Sequence, residues 1–422
     1  MKNFLKHFLT KTNLLVIAIF IVALGVRFYN FDTRVVYGPE QAISLISAME
    51  NLQKPSLLGI PYLIRQTSTG LNLFTSPVFG YSLIPLVIVF NYDVFKITAF
   101  FTVLNIITGL ALFFVVKSIF DNKIAIISSV IFLFSDYMIY HSLFIWTSNY
   151  MPAVGVATIY LLFRFIKDKK RRLLWVLLLG FICGLGFGIE YIFLFGAVIV
   201  FGLILKYSGR RVIDSLLFIV GAAVGELPTL VFDLKHGFYH VRTLFSYFLD
   251  TLNSPEQSQI SYYHFLVLWP LGAILLGILI TKIFNRNKFI STAVLLIFVY
   301  LNLISPRISF TKSVGMPDGL TAGDILKAAK IISREGGNNF NVSVPMGFDN
   351  RGYVLRFPLK YIYHKEPLSV ENYPNADLIY ILSNKNYNFT DPDIWEIRSY
   401  QPYKTAFIED INKDYGIYKL TK

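Results

Sequence analysis

Cysteine is almost absent: Cys183 is the single one in 422 residues, and it lies inside an apolar run. Neither a disulfide framework nor a cysteine metal site can be built, and the redox compartment cannot be read from cysteine usage. Charge is scarce too, at 15% of residues against 55% hydrophobic and 16% aromatic, with a mean hydropathy of +0.55. That composition excludes an ordinary water-soluble globule and implies a polytopic membrane protein. There is no internal repeat and no low-complexity tract. A small-residue cleavage site is also missing after the apolar residues 14–26, which follow Lys2, Lys6 and Lys11 and end in Arg27-Phe28-Tyr29. The first run therefore reads as an uncleaved span.

The net charge of +13 suggests a nucleic-acid partner until its distribution is considered. Basic residues collect in short loops: Lys117 and Lys123; Arg164, Lys167, Lys169, Lys170, Arg171 and Arg172; Lys206, Arg210 and Arg211; Lys282, Arg286 and Lys288. Positive loops face the cytoplasm, so these and the N-terminus are placed inside. With that excess removed, the outer face is close to neutral. Nucleic acid is excluded as a partner.

Apolar runs fall near 12–30, 78–90, 98–116, 124–142, 149–166, 173–188, 190–205, 212–232, 263–281 and 289–304. A crossing needs about 20 apolar residues. The run 78–90 is the shortest and contains Pro85, which fits a re-entrant or interfacial helix. The expectation is an all-α polytopic bundle of about nine spans over residues 1–305, with outer loops at 31–77 and 232–262. Residues 306–422, polar in composition, form a small α/β domain on the outer face. In it an amphipathic helix is predicted over 321–335, strands at 340–344 and 378–382, and a terminal hairpin over 406–420.

Acids are few, and three emerge at the outer membrane surface, where a lipid would deliver its head group. Glu40 follows Pro39 at the start of the first outer loop. A carboxylate there can take a proton from an acceptor hydroxyl, or it can simply be a helix-start acid favoured by the dipole. Glu190 sits between two apolar half-spans, where an acid is costly unless it lines a wet cavity or pairs with Arg27 or Arg65. In Phe232-Asp233-Leu234-Lys235-His236-Gly237-Phe238-Tyr239-His240, a continuous helix would set Asp233, His236 and His240 on one face, a geometry suited to a divalent metal. The alternative is that Asp233 caps a helix and Lys235 and His236 anchor at the interface. Arg65, Lys235 and Arg242 are outer-face cations able to hold a lipid phosphate or to snorkel to head groups.

Three short motifs carry a family resemblance: Tyr37-Gly38-Pro39-Glu40-Gln41 in the first loop, Thr75-Ser76-Pro77-Val78-Phe79-Gly80-Tyr81 at its exit, and Phe232 to Phe238 in the later loop. With the layout of spans and the outer C-terminal domain, the chain resembles the GT-C membrane glycosyltransferases. Within them it is similar to the family-39 type, relatives of protein O-mannosyltransferases and of aminoarabinose transferases. The resemblance implies a multi-pass cell-membrane enzyme of the cell envelope that takes sugar from a polyprenyl-phosphate donor. The acceptor would be a glycan, lipid or protein on the outer face. It implies the first-loop acid, Glu40, as base, and some members bind a divalent metal; the reading of the residues adds Glu190 in support, substrate contacts from Arg65, Tyr81, Lys235 and Arg242, and a metal on Asp233 and His236. The chain departs from the family in having Pro39-Glu40 where an acidic pair is usual, and in lacking an acid in Trp146-Thr147-Ser148-Asn149. A transporter or flippase, or a non-catalytic assembly protein, is the alternative class.

Overall fold

The computed structural model describes residues 11–61, 66–253, 261–345 and 347–422. In chain order the membrane part runs through α1 (Lys11–Phe28), the short α2 (Phe31–Arg34), α3 (Pro39–Gln53), α4 (Val78–Val89), α5 (Val94–Ile119), α6 (Asn122–Leu133) and α7 (Asp136–His141). A 3-10 turn at Thr147–Tyr150 leads into α8 (Met151–Lys167), followed by α9 (Arg172–Ile189), α10 (Phe193–Tyr207), α11 (Arg211–Gly225), α12 (Leu227–Lys235) and α13 (Tyr239–Asn253). A second 3-10 segment, Tyr262–Leu268, opens α14 (Trp269–Arg286), and α15 (Lys288–Leu303) ends the membrane part.

Four of these are long and apolar enough to cross a membrane: Val94–Ile119, Thr147–Lys167, Arg172–Ile189 and Tyr262–Arg286. A fifth is obtained if α11 and α12, bent by 86° at their junction, count as one broken span. The other apolar runs fold as shorter helices, α4 with Pro85 inside it among them. Among the described residues, length and composition alone thus mark at least four crossings, and the shorter apolar helices supply the remaining runs of the nine-span expectation.

The tightest helix pair is built on glycine. A Cβ added to Gly180 would stand 2.1 Å from the Phe218 carbonyl oxygen, and one on Gly184 would stand 2.2 Å from that of Ala222. From the other side, Gly221 and Gly225 meet the Leu177 and Phe181 carbonyls at 2.3 and 2.4 Å in the same construction. Small residues at four-residue spacing let two backbones touch where lipid offers no hydrophobic drive to association. This seam fixes α11 against α9, and with it the end of α9 that carries Glu190.

The C-terminal part confirms the predicted elements. α16 (Ala322–Arg334) starts at a capping box in which Thr321 and Asp324 satisfy each other's backbone N–H. It is followed by β1 (Phe340–Ser343), α17 (Tyr353–Tyr361), β2 (Leu378–Asn384), α18 (Trp395–Arg398), β3 (Lys404–Asp410) and β4 (Tyr415–Thr421). The sheet order is β1-β2-β4-β3, with β1 and β2 parallel and the terminal hairpin antiparallel. One hydrophobic core joins this sheet and its helices to α3 and to the start of α5: Val35, Leu45, Met49, Ile97, Phe357 and Tyr380 all belong to it. The exit from α15 is pinned by Asp136, which takes the Arg307 guanidinium at 3.1 Å and the Ser305 hydroxyl at 2.6 Å. The C-terminal part therefore buttresses the loop after α1.

Candidate active site

Glu40 lies in the first turn of α3. Pro39 stands at the first helical position, and Gly38 donates its N–H to the Gln41 side-chain oxygen at 2.9 Å, which fixes the start of the helix. Glu40 itself is exposed, yet the protein mass around it holds its carboxyl above the ordinary carboxylate range by desolvation. Both facts hold for an acid that meets solvent while its carboxyl stands close to packed protein. Its charge reaches Tyr140 and Tyr263.

Glu190 ends α9 and is buried, 2% exposed. It accepts a hydrogen bond from Ser148 Oγ and pairs with His264 Nδ1 at 2.7 Å. The serine bonds the acid and not the imidazole, so this is no nucleophile relay of the serine-hydrolase kind; it is an acid–imidazole pair braced by a hydroxyl. Arg27, an expected partner, is used elsewhere: it donates to Asn105 Oδ1 and to the Leu133 carbonyl, each at 2.9 Å. Tyr263 is within electrostatic reach of both Glu190 and Glu40. The tyrosine therefore links the two acids to one region. Ser148, Tyr263 and His264 carry no sequence signal of their own beyond an aromatic stretch at the head of a span.

The metal expectation on Asp233 and His236 meets a different geometry. Gly237 and Phe238 both take positive φ, +61° and +58°, so the helix breaks and the imagined single face does not form. Asp233 Oδ1 accepts the His240 N–H at 2.6 Å and Oδ2 the Val241 N–H at 3.2 Å, capping α13. His236 is exposed and stacks on Phe232, ring centroids 4.1 Å apart. Among the described residues no group of three metal-capable side chains exists. Asp233 and His236, placed in this way, do not form a metal site. His240 instead binds the Tyr191 hydroxyl at 2.7 Å and the Phe74 carbonyl at 2.9 Å, tying the loop exit to the end of α9.

Of the substrate-contact candidates, Lys235 and Arg242 are exposed. Tyr81 donates its hydroxyl to the Ser56 carbonyl at 2.6 Å and so braces the first loop. Arg65 lies outside the described residues.

The family model described as dolichyl-phosphate-mannose-protein mannosyltransferase matches residues 75–231. No curated protein matches the chain by sequence. Among solved structures, ArnT from Cupriavidus metallidurans in the apo state aligns with a TM-score of 0.50 at 11% identity, over 96% of this chain and 97% of that one. The same protein bound to undecaprenyl phosphate gives 0.46 at 12% identity, over 96% and 97%. The Archaeoglobus fulgidus oligosaccharyltransferase in its apo form gives 0.49 at 10% identity, over 89% and 69%. From the near end-to-end superposition on ArnT, this chain has the fold of the GT-C membrane glycosyltransferases.

Proposed function

We propose that the protein is a membrane glycosyltransferase that moves a sugar from a polyprenyl-phosphate donor to an acceptor hydroxyl on the outer face. The observation that carries this reading is Glu40 on α3, an acid open to solvent, raised by desolvation, and linked through Tyr263 to the buried Glu190–His264 pair. A general base needs a raised carboxyl pKa within reach of the hydroxyl it deprotonates. In the proposed step one Glu40 oxygen takes the acceptor's proton, and the acceptor oxygen bonds to the anomeric carbon. The bond from that carbon to the phosphate oxygen breaks, and polyprenyl phosphate departs with the electron pair. A single displacement inverts the anomeric centre. Glu190 holds His264 in place to face the phosphate's charge, while Lys235, Arg242 and Arg65 are the proposed outer contacts for the lipid head group. No step is routed through a metal. The fold likeness and the family match over 75–231 support this reading.

The test uses the purified full chain with a panel of labelled polyprenyl-phosphate sugars. Wild-type protein transfers at least one of them. Glu40→Gln keeps the shape and acceptor atom but not the basicity, so transfer falls by about 10²–10⁴-fold while the variant stays folded. Undiminished transfer by the variant would remove Glu40 from the mechanism.

A further inference from the structure

The glycine seam between α9 and α11 has a third rung. Gly180 faces Phe218, Gly184 faces Ala222, and Gly188 faces Glu226, whose Oε2 stands 1.8 Å from where a Gly188 Cβ would lie. The first two rungs are backbone contacts; at the third, a carboxylate lies over the glycine. This happens at the 86° break between α11 and α12, two residues along α9 from Glu190.

Glu226 is 8% exposed, and neither carboxylate oxygen has a hydrogen-bond partner. Thr229, one turn further, is 3% exposed, and its hydroxyl stands beside that carboxylate without completing a well-aligned hydrogen bond. The hydroxyl of Ser76, from the exit of the first outer loop, stands beside the same carboxylate. A buried acid left unpaired near the membrane surface is costly, and a fold that keeps one there together with two hydroxyls holds a site awaiting donors and acceptors. An acid flanked by hydroxyls matches a ligand that presents several hydroxyls on one ring. From this arrangement we infer that Glu226, with Thr229 and Ser76, reads the hydroxyl groups of the donor's sugar. The inference rests on the glycosyltransferase reading for the identity of that sugar's carrier.

Binding without turnover tests it. The full chain in detergent is titrated with bare undecaprenyl phosphate and with undecaprenyl phosphate carrying glucose, mannose or an aminopentose. Wild-type protein binds at least one sugar-lipid more tightly than the bare lipid. Glu226→Gln weakens that sugar-lipid roughly tenfold or more, the size expected for a hydrogen bond to a charged group, and leaves the bare lipid unchanged. Thr229→Val, nearly isosteric and neutral, gives a smaller loss of the same selectivity, and with Ser76→Ala it carries the comparison if Glu226→Gln does not fold. Equal weakening of bare and sugar-bearing lipid in every variant overturns the inference and leaves a structural role. So does a wild type that binds no sugar-lipid better than the bare one. Absence of transfer by the wild type with this binding difference intact would count against the glycosyltransferase reading and not against Glu226 as a sugar contact.

Discussion

The pair formed by Glu190 and His264 offers the most direct trial of the site's construction. Glu190→Ala removes a 2% exposed carboxylate that receives the Ser148 hydroxyl and sits 2.7 Å from His264 Nδ1. Both partners are themselves buried, so neither finds water as a replacement. Leaving each buried polar group unsatisfied costs about 1–3 kcal/mol, and breaking a buried pair by removing one member costs about 3–5 kcal/mol in all. Glu190→Gln keeps an acceptor for Ser148 and a polar atom toward His264, so it loses less, about 1–2 kcal/mol. The assay is thermal unfolding of the full chain in detergent, with a cycle of Glu190→Ala, His264→Ala and the double variant. Because the two side chains share one interaction, the double variant should be more stable than the sum of the singles implies, by about 0.5–3 kcal/mol. An unchanged midpoint for Glu190→Ala, or strictly additive losses, would refute the claim that the two act as one unit.

Further outcomes follow from other parts of the molecule. Glu40 works as a base only when ionised, and desolvation raises its pKa, so transfer should fall as pH drops through a point above the ordinary carboxylate value; a limb at or below that value would contradict the desolvated setting of Glu40. Asp349, buried behind the first loop, has its carboxyl pushed by burial from 3.8 up to about 6. The folded state then holds the extra proton, so this group's contribution is present below pH 3.8 and is lost as pH rises to about 6, amounting to about 3 kcal/mol at most. Asp349→Asn should flatten that part of the stability profile, read as apparent midpoint against pH. Gly184→Ala places a Cβ 2.2 Å from the Ala222 carbonyl oxygen and should cost about 1–3 kcal/mol through overpacking, with loss of thermal stability as the readout.

The amphipathic helix at Thr321, the strands at Phe340 and Leu378, and the hairpin before Tyr415 were legible because their signals are local: a capping pair, an alternating run, a polar turn. Glu40's place at a helix start was equally legible from Gly38-Pro39. The metal face at Asp233 was not realised, because Gly237 and Phe238, just past His236, enter left-handed backbone and turn the chain before the next helical turn can bring His240 onto the face of Asp233 and His236. The capping of α13 by Asp233, held open as the alternative, is what the backbone break produces.

By itself the sequence determined that the chain lives in a membrane, where its charged loops collect, and which short stretches become helices and strands, since hydropathy and capping act over a few residues. Only the tertiary structure decided what the acids meet. Glu190 finds His264 and Ser148 instead of an arginine because the end of α9 meets the 3-10 turn before α8 and the 3-10 segment before α14, and Glu226 lies over Gly188 because a glycine seam brings two backbones together. Those partners lie tens of residues apart in the chain, where no local pattern reaches.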